Sequence, residues 1–321
     1  MSRGRSAAFG LLLAAACQKR EPPPRPVEPS PEQEARALVE NARREVESAP
    51  PEAPAPGAAV YVPVLSKSSL MPFVVFLHGL GGSGRELALG LHLKEMADAF
   101  GFAFVAPEGH VDRSGRRFWN ATATCCNFDD IQIDHVAELR AWITRAVADP
   151  RVDPRRVYLV GFSNGGFMAY RAACELGPLL AGIVSIAGAG LGESEACRPQ
   201  KKLSVIQIHG DRDPIVKFDG GYLFADSRRP RMLSAEKSLA YWAKFDGCSA
   251  EPTETGHLDL DPRVPGAESS VSSYSECSGH RVELWRIPGG DHTAGLTRLG
   301  LKAIWDFIVA DAAVATAAPS P

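Results

Sequence analysis

Short apolar runs recur through the middle of the chain, each closed by glycine-rich or polar residues. Runs at 73–77, 102–106, 157–160 and 183–186 are mostly apolar, those at 203–209 and 281–287 interleave polar residues, and 157–160 has no polar alternation at all. That is the pattern of strands covered on both faces. Residues 58–64 predict a first edge strand. Between the runs, 86–100, 129–148, 167–174, 234–245 and 297–310 predict helices. Ser234 is placed as an N-cap, and Asp129-Asp130 stand at a helix start, where acids suit the dipole. Residues 150–156 read as a turn and 115–129 as irregular. Strands alternating with helices predict an α/β fold with a mostly parallel sheet, in one domain over 58–312. In such sheets functional residues collect at the carboxyl ends of strands.

Three of those strand ends carry candidate chemistry. After 157–160 comes Gly161-Phe162-Ser163-Asn164-Gly165, a G-x-S-x-G turn between a strand and a helix. In that setting a serine hydroxyl projects past the sheet edge. After 203–209 comes Gly210-Asp211-Arg212-Asp213-Pro214, and after 281–287 comes Gly289-Gly290-Asp291-His292. A serine is a poor nucleophile until a base takes its proton, and a carboxylate fixes the tautomer of that base. Ser163, His292 and Asp213 are the candidates, with Asp211 and Asp291 as rival acids. Asp213 is preferred because two more residues carry it clear of the strand and Pro214 stiffens the backbone just beyond it.

A glycine-rich loop, His78-Gly79-Leu80-Gly81-Gly82-Ser83-Gly84, follows the strand at 73–77. It has neither the Lys-Ser/Thr ending of a phosphate loop nor a GxGxxG spacing. It does suit an oxyanion hole, with one backbone N–H from the loop and one from the residue after the nucleophile. Those donors are assigned to Leu80, with Gly81 the alternate, and to Asn164. His78 is read as shaping this loop, and Phe162, Phe118 and Trp119 as candidate pocket walls. His110, His135 and His257 are assigned no role.

Composition and the termini change the picture in two ways. The 321 residues carry a net charge of -3 with no basic cluster, which argues against a nucleic-acid partner. Residues 1–17 predict a targeting segment, with Arg3 and Arg5 before an apolar run too short to span a bilayer. Leu13-Ala14-Ala15-Ala16-Cys17 resembles a bacterial lipobox, so Cys17 is a candidate lipidation site and a membrane anchor for the cell envelope. A plain secretory signal is the other reading. Residues 18–57, with ten prolines, predict a tether holding at most one short helix at 32–48, and 313–321 a frayed tail.

With Cys17 set aside, an even number of cysteines remains, as expected of an exported chain. Cys248 and Cys277 flank a polar stretch and are predicted to staple its ends, worth about 3–4 kcal/mol by loop entropy. Adjacent Cys125 and Cys126 are predicted to go separately to Cys174 and Cys197, because a bridge between neighbours is strained. Neither a CxxC pair nor histidines at ligand spacing points to a metal.

These motifs together carry a resemblance. His78-Gly79-Leu80-Gly81-Gly82, residues 119–126 with Asp129-Asp130 behind them, residues 161–169, His209-Gly210-Asp211-Arg212-Asp213 and Gly289-Gly290-Asp291-His292-Thr293 resemble the polyhydroxybutyrate depolymerase and feruloyl esterase group of secreted α/β-hydrolases. The likeness covers residues 60–310. It implies the α/β-hydrolase fold, the chain order nucleophile–acid–histidine, Asp213 as the acid, and ester hydrolysis without metal or organic cofactor. Where the group continues Gly-His-Thr-Trp-Pro-Gly, this chain has Thr293-Ala294-Gly295 after the histidine. The expectation is an exported serine esterase acting on feruloyl or acetyl esters, hydroxyalkanoate oligomers or short-chain esters. The alternatives are a serine peptidase of prolyl-oligopeptidase type and a surface-binding lipoprotein without chemistry.

Overall fold

The computed structural model describes Met1 and residues 59–64, 70–191 and 197–316. Its centre is an eight-stranded sheet. Strands β1 (Met71–Leu77), β2 (Ala103–Val105), β5 (Val152–Phe162), β6 (Gly182–Ile186), β7 (Ser204–Gly210) and β10 (Val282–Ile287) run parallel in the order β2-β1-β5-β6-β7-β10. Strands β9 (Ser269–Ser273) and β8 (Thr253–Leu258) extend the β10 edge antiparallel. A separate hairpin pairs β3 (His110–Val111) with β4 (Arg117–Phe118). This is the α/β-hydrolase fold.

The apolar runs explain the layering. Along β1, Phe73, Val75 and Leu77 join one core while Val74 and Phe76 join the other. Successive residues of a strand point to opposite faces, so a continuous apolar run must be covered twice. On the first face pack α3 (His135–Val147), α4 (Asn164–Leu176) and α5 (Ala235–Asp246), through Leu139, Trp142, Phe167, Leu239 and Trp242. On the second face pack α2 (Leu93–Phe100) and α6 (Arg298–Thr316), through Leu93, Met96, Leu301, Ile304 and Phe307. Asp311 ties α6 to the sheet, accepting from the Tyr158 hydroxyl at 2.8 Å and from the Ser204 hydroxyl.

Several predicted elements differ. Residues 59–64 form an isolated antiparallel bridge, Tyr61 to Phe104, rather than a strand. The helix predicted at 86–100 is two: α1 (Gly84–Gly90), capped by the Ser83 side chain, and α2, separated where His92 turns left-handed at φ 53°. Helix α3 starts at His135 under an Asp134 cap, not at Asp129-Asp130. Asp129 instead accepts the Arg113 N–H at 2.7 Å. The turn predicted at 150–156 already lies within β5, whose register to β1 shifts between Met71 and Phe73. The hairpin β8–β9 is absent from the apolar pattern, because its residues are polar and half exposed. The last helix continues to Thr316, past the predicted end at 310.

The cysteine pairs are Cys174–Cys197, Cys248–Cys277 and Cys125–Cys126. The staple across 248–277 is therefore present, but the split pairing of Cys125 and Cys126 is not. Cys174 at the end of α4 meets Cys197 with Cα atoms 5.4 Å apart, which leaves the adjacent cysteines to each other. Cys17, the leader, the tether and residues beyond Thr316 lie outside the described residues.

Candidate active site

The turn at Ser163 is built by sterics. Ser163 has φ 53° and ψ -117°, a region non-glycine residues avoid and one that costs energy to hold. A Cβ on Gly161 would overlap the Gly165 carbonyl, and one on Gly165 would overlap that of Leu77. Both motif glycines are thus required where strand and helix cross. The Ser163 N–H donates to Ile186 O at 2.8 Å, which pins the turn to β6.

Loops leaving β7 and β10 meet this turn. His292 Nε2 lies 2.9 Å from Ser163 Oγ, and His292 Nδ1 lies 2.6 Å from Asp213 Oδ2. A carboxylate only accepts, so Nδ1 carries the proton and Nε2 is left to accept from the serine hydroxyl. Asp213 is buried, and its Oδ1 accepts the N–H groups of Ile215 at 2.8 Å and Val216 at 3.0 Å. Burial pushes its carboxyl up, but hydrogen bonds from His209 and His292 outweigh that and hold it well below the carboxylate range.

The rival acids are engaged elsewhere. Asp211 accepts the Gly289 N–H at 2.7 Å and pairs with Arg286 at 3.0 Å, stitching the start of the His292 loop to β7. Asp291 pairs with Arg263 at 2.9 Å and accepts the Thr293 N–H at 2.9 Å. Arg263, from the β8–β9 connection, thereby braces the same loop from the other side.

The glycine-rich loop lies against the serine, since a Cβ on Gly79 would come within 3.3 Å of Ser163 Cβ. His78 is buried, donating from Nδ1 to Gly79 O at 2.8 Å and accepting the Gly109 N–H on Nε2 at 2.9 Å. Burial lowers its pKa, which keeps it neutral as both bonds require. The Gly81 N–H is taken by Arg117 O at 2.8 Å. The Leu80 N–H has no partner among the described residues, and Asn164, first in α4, has no intrahelical acceptor for its own N–H. Glu108, which the sequence did not single out, holds the far end of the loop by accepting from Gly84 N and Arg85 N, each at 3.1 Å.

Two predicted pocket walls are core residues. Phe118 and Trp119 are 0% and 1% exposed, and Trp119 Nε1 donates to His78 O at 2.9 Å from behind the loop. Phe162 does reach the site, with its ring centroid 5.2 Å from that of His292.

One histidine cluster lies against Phe118 and Trp119, whose ring centroids are 5.8 Å and 5.2 Å from that of His135. Ligand atoms of His110, His135 and Glu138 gather within 4.8 Å of one another. The Asn120 N–H donates to His135 Nδ1 at 2.9 Å, so the neutral ring carries its proton on Nε2 and offers a donor where a metal needs a lone pair. Burial, with the nearby charges of His110 and Arg171, lowers the His135 pKa to about 3. This trio does not fit a metal ion.

Residues 64–232 match the phospholipase/carboxylesterase family, more than half of the chain. The chain belongs to that family. It is 27% identical over 242 residues to feruloyl esterase B of Piromyces equi, covering 74% of this chain and 41% of that one. It is 23% identical over 261 residues to the bifunctional acetylxylan esterase/xylanase XynS20E of Neocallimastix patriciarum, covering 78% and 33%. This family member thus spans less than half the length of either relative. Among solved structures, the acetyl xylan esterase from Aspergillus awamori shares the fold, with a TM-score of 0.53 and 14% identity over 78% of this chain and 93% of that one.

Proposed function

We propose that this chain is a serine carboxylic ester hydrolase. The observation that carries the reading is the continuous hydrogen-bonded path from Asp213 through His292 to Ser163. His292 Nε2 takes the hydroxyl proton as Ser163 Oγ bonds to the ester carbonyl carbon. The negative charge that develops on the carbonyl oxygen is met by the N–H groups of Leu80 and Asn164. The tetrahedral species collapses, the alkoxide leaves with the proton from His292, and Ser163 keeps the acyl group. Water then enters by the same route and releases the acid. Nucleophile, base, acid and oxyanion donors are all protein groups, so no step calls for a metal or organic cofactor.

The substrate reading is narrower and rests on the relatives' names. Feruloyl esterase, acetylxylan esterase and acetyl xylan esterase point to feruloyl or acetyl esters on a polysaccharide. Hydroxyalkanoate oligomers and short-chain esters remain within the same chemistry. Export is supported by the cysteine pairing, which suits an oxidising compartment. Among the described residues no helix is long and apolar enough to cross a membrane. Anchoring through a lipid on Cys17 is part of the proposal.

The test is p-nitrophenyl acetate turnover and fluorophosphonate labelling of the wild type and Ser163→Ala. Loss of both on substitution is expected. Full turnover by Ser163→Ala would overturn the mechanism.

A further inference from the structure

Behind the Asp213 carboxylate runs a buried polar chain that the steps above do not use. The Tyr170 hydroxyl, on α4, donates to Gln207 Oε1 at 3.0 Å. Gln207 Nε2 donates to Gly188 O at 3.0 Å and to His209 Nδ1 at 2.9 Å. His209 Nε2 lies 2.7 Å from Val216 O and 3.4 Å from Asp213 Oδ2. Tyr170 and Gln207 are 0% exposed and His209 1%, so these bonds are shielded from bulk water.

Counting hydrogens places every proton. The Gly188 carbonyl can only accept, which orients the Gln207 amide with nitrogen toward it and oxygen toward Tyr170. Both amide hydrogens are then spent, one on Gly188 and one on His209 Nδ1. His209 Nδ1 therefore holds a lone pair, and Nε2–H points at Val216 O and the Asp213 carboxylate. A second proton on His209 would face an N–H and have no acceptor.

We infer that His209 is a positioning residue for Asp213, and that Gln207 holds it in the neutral Nε2–H form. This rests on the serine hydrolase reading. The N–H groups of Ile215 and Val216 bind Asp213 Oδ1, and His209 binds the carbonyl of the same Val216. His209 thus fixes the turn that aims Oδ2 at His292. Because His209 stays neutral, His292 is the one imidazole whose positive charge the carboxylate must stabilise. A cationic His209 would share that carboxylate and make His292 a weaker base. The surroundings add little competing charge. The Phe218 ring packs on His209 at 5.8 Å, and the Arg286 guanidinium beyond it, 5.1 Å from that ring, is paired with Asp211.

The experiment measures kcat and KM for p-nitrophenyl acetate across pH for Gln207→Glu, His209→Phe and His209→Gln, with thermal melts and Ser163→Ala alongside. The carboxylate introduced by Gln207→Glu could accept a proton from His209 Nδ1 and so permit the cation. His209→Phe keeps the ring and removes the donor. Both are expected to lower kcat about 10–100-fold with KM little changed, and Gln207→Glu also to move the acidic limb of kcat/KM to lower pH. His209→Gln, which restores an N–H donor, is expected to recover most of kcat with the wild-type limb. If His209→Phe and Gln207→Glu lowered only the melting temperature, with kcat and the limb as in wild type, the inference would be overturned. Turnover by Ser163→Ala would instead overturn the reading beneath it, and that result is separate.

Discussion

The carboxamide of Asn164 is held at both ends by the backbone of Trp119. Its Oδ1 accepts the Trp119 N–H at 2.7 Å, and its Nδ2 donates to the Trp119 carbonyl at 3.0 Å. Trp119 in turn reaches His78 O, so the residue beside the nucleophile and the glycine-rich loop are joined through one buried tryptophan. Asn164→Ala would leave both Trp119 groups unpaired, at about 1–3 kcal/mol each. Chemical denaturation should register that loss. Esterase kcat should fall with it, because the two proposed oxyanion donors would no longer be held together.

Glycines in the site separate steric need from backbone need. Gly165→Ala places a methyl group on the Leu77 carbonyl at a point where β1 and α4 cannot part. Gly81→Ala meets nothing within 4 Å but must keep φ at +79°. The first is expected to abolish soluble folded protein, the second to cost about 1–2 kcal/mol. Soluble yield and melting temperature distinguish the two, and equal behaviour would contradict this packing.

Asp246, buried at the end of α5, has its carboxyl pushed up to about 7 by desolvation, against the pull of Lys202. A raised carboxyl pKa means that the folded state binds the proton more tightly than the unfolded chain. Its contribution to stability is therefore full below the unfolded value of about 3.9 and is lost as pH rises through about 7. Asp246→Asn should remove this dependence. The variant minus wild-type difference in unfolding free energy should grow between pH 5 and pH 8, by something on the order of 2 kcal/mol. A difference flat with pH would show that the group does not titrate in this range.

The Cys248–Cys277 bridge closes a separation of 29 residues around β8 and β9. That segment carries Arg263, which braces the loop of His292 through Asp291. Serine at both cysteines should lower stability by about 3–4 kcal/mol. Arg263→Ala should cost less, about 1–3 kcal/mol, because it removes an exposed pair with Asp291 and also the fork on the buried Asp261 carboxylate at 2.8 Å. Urea titration of the two variants checks the ordering.

The amino-acid sequence alone was enough for the central strands, the turn at Ser163 and the position of His292. Those features rest on local rules: apolar runs for a doubly covered sheet, and glycines where a strand crosses a helix. The polar edge hairpin β8–β9 escaped because half-exposed strands at a sheet edge leave no apolar run. The break at His92 and the late start of α3 escaped because capping chooses between neighbouring residues that read alike.

Partner choice was decided only in three dimensions. Asp211, Asp213 and Asp291 all follow strands, yet the first faces Gly289 and Arg286 and the last faces Arg263. Gly81 could serve as a donor by sequence, but Arg117 from the small hairpin occupies its N–H. Phe118 and Trp119 look like pocket aromatics, but both are buried, Trp119 against the glycine-rich loop and Phe118 against His135. Cys125 and Cys126 lose their expected partners because Cys174 and Cys197 meet each other. In each case the residue type was legible along the chain, while its partner depended on where distant loops converge at the end of the sheet.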